Sequence, residues 1–195
     1  LNSSLFQVFI SIGVGAVENA ARSYQVGLVQ SLPWVTPEEE IKNQLVTLTA
    51  SSVNARRSMD YYDETTNAYQ TITLRAIDID QLTGLLIGQM QSAADRLSNN
   101  YHLIDSLINE AYSVQDQIPD SATIILESFH RRVWNKSDVV AQALSQMLGY
   151  SFGRWDIRFA TGIRPIPEPP DPFAPLPACP PGMLQNAQGL PAAPA

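Results

Sequence analysis

Eleven of the fourteen prolines fall at or after Pro165. Proline lacks an amide donor and biases the residue before it away from the α region, so the last 31 residues cannot be helical. Any helical core must therefore come from residues 1–164. The tail 165–195 reads as an extended, polyproline-like strap. It carries Ile166, Phe173, Leu176, Met183 and Leu184, more apolar side chains than a free linker needs, which predicts that it docks on a surface.

Before the tail, apolar spacing predicts mostly helix. Asn2, Ser3 or Ser4 can cap a first helix whose face is Leu1, Leu5, Val8, Phe9 and Ile12, ended by Gly13 and Gly15. Residues 22–35 read as extended: Tyr24, Val26 and Leu28 alternate as in a half-buried strand, and Pro33 stops it. Thr36-Pro37-Glu38-Glu39 is a helix start, with Thr36 as cap, Pro37 in the first turn and Glu39 completing a capping box. Ile41, Leu45, Leu48 and Ser52/Val53 then mark one face of a helix running to about Met59. Residues 60–78 fit no single pattern, although Tyr61, Tyr62, Tyr69 and Ile72 should be half-buried.

The longest expected element is 79–117. Leu86, Met90, Ala93, Leu97, Asn100/Tyr101, Ile104, Leu107/Ile108 and Ala111 repeat at alternating fours and threes, a heptad-like seam. The preceding helix is its natural antiparallel partner. Ile118-Pro119-Asp120 breaks the pattern, and a short helix should follow through about Arg131. Asn135-Lys136-Ser137-Asp138 caps the next helix, carrying Val139, Val140, Ala143, Leu144, Met147 and Leu148. The expected fold is mainly α: an antiparallel long-helix hairpin or bundle, a short strand near the N-terminus and an extended proline-rich tail. Its expected divisions are 1–35, 36–164 and 165–195.

The net charge of −7 is unevenly placed. Residues 1–130 hold six basic and fifteen acidic side chains. Residues 131–164 hold six basic residues (Arg131, Arg132, Lys136, Arg154, Arg158, Arg164) against Asp138 and Asp156. A freestanding nucleic-acid binder is usually basic overall, so the basic stretch matters more than the total. A lone cysteine, Cys179, excludes a disulfide framework and a cysteine-based zinc site, and no base or cation beside it in sequence activates the thiol. No apolar run spans a bilayer, and no signal-peptide pattern is present. The chain begins at Leu1 and ends Pro-Ala-Ala-Pro-Ala, which reads as a piece of something longer.

No catalytic constellation is visible. His102 and His130 have no partner ligand at metal spacing and read as ordinary helix residues. Gly13-Val14-Gly15 follows a helical pattern, whereas a dinucleotide loop needs a strand before it. Neither a phosphate-binding glycine loop nor a nucleophile elbow occurs. Glu38-Glu39-Glu40 sits where a helix dipole favours carboxylates. The sequons Asn2-Ser3-Ser4 and Asn135-Lys136-Ser137 have no meaning without secretion. The arginines alone stand out, since Arg131/Arg132 and Arg154/Arg158 could clamp phosphates as planar five-donor forks. A solvated helix face, or pairing with the chain's own acidic helices, is the competing explanation.

Several stretches, taken in order, carry a resemblance. They are Leu1-Asn2-Ser3-Ser4-Leu5-Phe6, Ser23-Tyr24-Gln25-Val26-Gly27-Leu28-Val29-Gln30-Ser31-Leu32-Pro33, and Ala55-Arg56-Arg57-Ser58-Met59-Asp60 with Glu64-Thr65 and Ala68-Tyr69 after it. Residues 104–119 follow, and then Phe152-Gly153-Arg154-Trp155-Asp156-Ile157-Arg158-Phe159-Ala160-Thr161-Gly162. Pro170-Asp171-Pro172-Phe173-Ala174-Pro175-Leu176-Pro177 and Cys179-Pro180-Pro181-Gly182-Met183-Leu184-Gln185 extend the match. Together these resemble the C-terminal part of large single-chain adenine-specific DNA methyltransferases of type II restriction–modification and BREX-type phage-defence systems, covering the end of the target recognition domain and the helical region after it.

The resemblance implies a parent enzyme that moves a methyl group from S-adenosylmethionine to N6 of a flipped-out adenine in double-stranded DNA. The family's catalytic tetrapeptide, Asn/Asp-Pro-Pro-Tyr/Phe, is not met by Glu168-Pro169-Pro170-Asp171 or by Cys179-Pro180-Pro181-Gly182, and its glycine-rich cofactor motif is missing. No catalytic, cofactor-binding or metal-binding residue is therefore carried over. The resemblance makes residues 1–35 the end of a recognition domain, 36–164 a helical spacer and 165–195 a strap. The implied partners are duplex DNA and the catalytic and recognition domains of the same polypeptide, in the cytoplasm and without a membrane. Candidate DNA contacts, positioning the backbone rather than reading bases, are Arg56, Arg57, Arg131, Arg132, Lys136, Arg154 and Arg158, with Tyr24 and Gln25 by proximity to the recognition domain. The rival expectation is a helical protein–protein module with no DNA role, pairing through 79–117 or offering the strap to an aromatic groove.

Overall fold

A computed structural model describes residues 3–14, 26–70, 78–114, 134–168 and 171–192. These form α1 (Ser4–Val14), α2 (Val26–Ser31), α3 (Glu39–Asp60), α4 (Ile79–Ala111), α5 (Lys136–Ser151) and α6 (Ile157–Thr161). The chain is mainly helical, with α3 and α4 as its two long packed helices. β pairing among the described residues is limited to two isolated antiparallel bridges, Trp155 with Met183 and Gln185 with Pro191. The short helix expected to end near Arg131 lies outside the described residues.

The strand expected over 22–35 does not form in its described part, where Val26–Ser31 is helical. A lone strand leaves its amides and carbonyls without a ladder, while a helical turn closes them on itself. Three alternating apolar positions are too few to decide between the two periods.

The chain divides into two compact units, Leu1–Ser52 with Arg96–Arg131 and Val53–Asp95 with Arg132–Ala195, so the boundary falls inside both long helices. In the first unit, α1 is capped by Ser3, whose hydroxyl accepts the Phe6 amide at 3.4 Å. The Ser4 amide donates to Asp105 Oδ1 of α4 at 3.0 Å. The buried face of α1 is Leu5, Phe6 and Ile10, whereas Ile12, expected on that face, is exposed. Phe6 meets Phe9 and Tyr112 edge-on at 5.8 and 5.9 Å between ring centroids. The Tyr112 hydroxyl donates to the Pro33 carbonyl at 2.8 Å and accepts the Val35 amide at 3.3 Å, which ties down the chain entering α3. That helix begins two residues after the Thr36-Pro37 signal, its first described bond running from the Lys42 amide to the Glu38 carbonyl. Asn100 of the α4 seam donates to the hydroxyls of Ser51 and Ser52 at 3.0 and 3.2 Å.

In the second unit the seam of α4 is buried at Leu86, Met90 and Ala93, as the heptad spacing predicts, with Leu82 buried one turn before them; Leu97 of the seam, also buried, belongs to the first unit. Leu82 and Leu86 form a cluster with Val139 of α5, flanked by Tyr62, Ile87 and Trp134. The capping sequence before α5 performs as read: Asn135 accepts the Asp138 amide at 3.1 Å while Asp138 accepts the Asn135 amide at 2.8 Å.

The proline-rich tail docks, but not through all the side chains expected. Phe173 and Leu176 are 84 and 75 % exposed. The Pro167 carbonyl accepts the Gln70 side-chain amide at 3.2 Å, and beyond the exposed stretch the tail is buried at Cys179. The Gly182 amide donates to the Tyr69 carbonyl at 3.0 Å and the Leu184 amide to the Arg154 carbonyl at 3.0 Å. From there the chain reverses, with the Ala192 amide on the Leu184 carbonyl at 2.8 Å, so the end of the tail is a tight hairpin and not an extended strap.

Candidate nucleic-acid interface

The segment that follows α5 gathers three of the chain's arginines. Phe152 ends the helix, its amide donating to the Leu148 carbonyl at 3.0 Å and the Gly153 amide to the Tyr150 carbonyl at 3.1 Å. Gly153 then takes φ +70°, a left-handed conformation that favours glycine, and turns the chain so that the Arg154 amide reaches the Gly149 carbonyl at 2.8 Å. Trp155, 2 % exposed, drops into the core against Tyr69, with centroids 4.6 Å apart. Arg154 lies over the indole, its guanidinium carbon 4.5 Å from the ring centroid.

Asp156 is the hub. Its amide bonds the Gly182 carbonyl of the docked tail at 3.1 Å. Its carboxylate caps α6 by accepting the Arg158 amide at 3.0 Å. The Arg158 side chain then folds back as a fork, Nε to Oδ1 at 2.8 Å and Nη2 to Oδ2 at 2.7 Å. Gly162, at φ +73°, terminates α6 and returns the chain so that the Arg164 amide meets the Arg158 carbonyl at 3.0 Å. That return lets Arg164 Nη1 share Asp156 Oδ2 at 3.2 Å while its guanidinium stacks 5.1 Å from the centre of the Phe159 ring.

The side chain of Asp156 is 1 % exposed, whereas those of Arg158 and Arg164 are 48 and 52 % exposed. The Arg158 fork holds the Asp156 carboxyl below its ordinary value, against the opposing effect of burial. Two guanidiniums thus share one ionised carboxylate, while the third, that of Arg154, lies over Trp155. Among the described residues, Arg158 Nη1 and Arg164 Nε and Nη2 have no acceptor and remain available to a ligand.

The other candidates are placed differently. Arg56 pairs with Asp60 one helical turn on, at 3.7 Å, and Arg57 sits half-buried beside it in the last turn of α3. Lys136 is bound to Asp80 of α4, a contact that also raises its pKa. Tyr24, Gln25, Arg131 and Arg132 lie outside the described residues. The structure therefore brings together Arg154 and Arg158 of the expected set and adds Arg164 and Asp156, which sequence reading counted only as charges. The signals for them were local: Asp-x-Arg allows a cap and a fork from one carboxylate, and a glycine two residues before Arg164 allows the return.

His130 lies outside the described residues. His102 is exposed on α4, Glu38, Glu39 and Glu40 are exposed at the start of α3, and Cys179 is buried. Among the described residues no group of three His, Cys, Asp or Glu side chains could hold a metal ion, and no helix is long and apolar enough to cross a membrane. Comparison of the chain with protein-family models, with curated proteins and with solved structures gives no match.

Proposed function

We propose that this chain is a non-catalytic segment of a site-specific DNA adenine-N6 methyltransferase of a restriction–modification or phage-defence system, in which it braces the recognition domain and adds contacts to the DNA backbone. The observation that carries this reading is the arginine cluster at Arg154, Arg158 and Arg164, because Arg154 and Arg158 fall in the stretch 152–162, among the residues that most resemble that family, and Arg164 joins them through Asp156. Half-exposed guanidiniums fixed by packing suit phosphate oxygens, which they can meet with two parallel hydrogen bonds. The contacts position the duplex and read no bases. S-adenosylmethionine and the methyl transfer belong to a catalytic domain of the parent polypeptide, and a cytoplasmic location is part of the same proposal.

Charge reversal tests it. The double variant Arg154→Glu, Arg158→Glu is expected to bind duplex DNA more weakly, with a shallower dependence of affinity on salt, as fewer counterions are released. Unchanged affinity at every salt concentration overturns the reading. An Asn-Pro-Pro-Tyr motif upstream in the same reading frame would support it independently.

A second reading, a protein–protein module without a DNA role, is favoured by Phe173 and Leu176, two large apolar side chains exposed on the proline-rich tail. Sedimentation of the chain separates the two: a stable dimer with no DNA affinity supports the module.

A further inference from the structure

We infer that Asp156 is a positioning residue, which sets Arg158 and Arg164 side by side as a two-guanidinium seat for one phosphodiester of a DNA backbone. The inference rests on the DNA-binding reading above and deepens it, since it names a role for Asp156 and a pairing of Arg158 with Arg164 that the reading did not require.

Three observations carry it. First, both guanidiniums reach the same oxygen, Asp156 Oδ2, at 2.7 and 3.2 Å, so the two donors can be no farther apart than the sum of those distances. Two like charges held that close are stable only around a shared anion, and Asp156 supplies just one negative charge. Second, the carboxylate is buried while the side chains of both arginines are about half-exposed, so the positive charge is open to a ligand and the negative charge is not. Third, Arg164 is held by more than its ion pair, and the Arg158 guanidinium is held at two points by its fork on Asp156. Arg158 lies in α6, and Arg164 is stacked on Phe159 and tied by its amide to the Arg158 carbonyl. Donors already fixed in place lose little side-chain freedom when an anion arrives.

An arrangement built only to neutralise Asp156 would need one arginine, and the bidentate fork of Arg158 already does that. Arg164 adds a second positive charge to a satisfied carboxylate. A tetrahedral phosphate oxyanion can bridge Arg158 Nη1 with Arg164 Nε or Nη2 and neutralise the excess.

The seat predicts a sign opposite to simple charge counting. Asp156→Asn removes a negative charge, so overall electrostatics alone would tighten DNA binding. If Asp156 positions the two arginines, the variant weakens it. The test is fluorescence anisotropy of a labelled duplex oligonucleotide titrated with the 195-residue chain over a chloride series, each variant being checked by circular dichroism and thermal unfolding. Asp156→Asn and Arg164→Ala are each expected to lower affinity by about three- to tenfold, the scale of one lost charge-assisted hydrogen bond. Arg164→Ala is also expected to reduce the salt slope by about 1. Arg158→Lys and Arg164→Lys keep the charge but lose the fork, and should also weaken binding. They carry the test if Asp156→Asn does not fold.

Tighter binding by Asp156→Asn, or wild-type affinity in both lysine variants, overturns the seat. If Arg154→Ala still weakens binding in that case, the DNA reading survives without the seat. No duplex binding by the wild-type chain at low salt overturns both. Displacement of the duplex by inorganic phosphate, at an ionic strength where chloride does not displace it, assigns the seat to free phosphate and overturns the phosphodiester.

Discussion

The indole of Trp155 occupies the space where a side chain on Gly149 would begin: a β-carbon built on Gly149 would lie 2.1 Å from Trp155 Cδ1 and 2.4 Å from Nε1. Trp155 cannot swing away, since it is buried against Tyr69 and its backbone is bridged to Met183. Glycine inside a helix is ordinarily a weakness, and alanine there usually stabilises. At Gly149 the sign should reverse. Gly149→Ala is expected to destabilise the chain by about 1–3 kcal/mol, the usual penalty for overpacking a core, read as a lower denaturant midpoint.

Gly84 and Gly88 of α4 provide the opposite case. Neither has a heavy atom within 4 Å of a built β-carbon. Alanine at each position should stabilise by about 0.5–1 kcal/mol through helix propensity alone. Thermal unfolding of the two single variants should show raised midpoints, and a fall in either would mean that the helix surface there is covered.

Stability toward acid should depend on Asp156. Because the Arg158 fork lowers its folded-state pKa, the stabilisation is complete above the ordinary carboxylate value of about 3.9 and is lost as pH falls through the lower folded value. Asp156→Ala loses the cap of α6 as well, about 1 kcal/mol by itself. The gap in urea midpoint between wild type and this variant should be wide at neutral pH and close progressively below pH ~4. A gap that stays constant with pH would mean that the ionised carboxylate contributes nothing.

Alkaline behaviour should depend on Tyr69. Burial pushes its hydroxyl well above the ordinary tyrosine value. Below pH ~10 both folded and unfolded chains hold that proton, so stability is unaffected. Above it the unfolded chain releases the proton and the folded chain does not, so stability falls. Tyr69→Phe, which keeps the ring against Trp155, should be nearly neutral at pH 7 and should lessen the fall above pH ~10. Denaturant midpoints between neutral and alkaline pH check it.

The seam of α4 and the Asn135–Asp138 cap were legible in the sequence because each is a local rule, a repeat of threes and fours or a side chain meeting an amide three residues away. The face of α1 was partly legible: Leu5 is buried as its spacing suggests, but Ile12 faces solvent because packing against Tyr112 rotates the buried stripe toward Phe6 and Ile10. The arginine cluster was half legible. Arg154 and Arg158 stand close in sequence, but the part played by Arg164 depends on a left-handed turn at Gly162 that composition does not announce. The burial of Trp155 depends on Gly182 returning from the tail to Tyr69, a contact between distant segments that no periodicity records.

The placement of the unit boundary inside both long helices bears on biosynthesis. Each unit is assembled from two stretches that leave the ribosome at different times. Leu1–Ser52 must wait for Arg96 and the residues after it, and Val53–Asp95 must wait for Arg132 onward. At roughly 5–20 residues per second, the nascent chain therefore spends seconds with the apolar seam of α4 made but uncovered. Cutting the gene between Asp95 and Arg96 would sever α4 and leave each piece with part of both units.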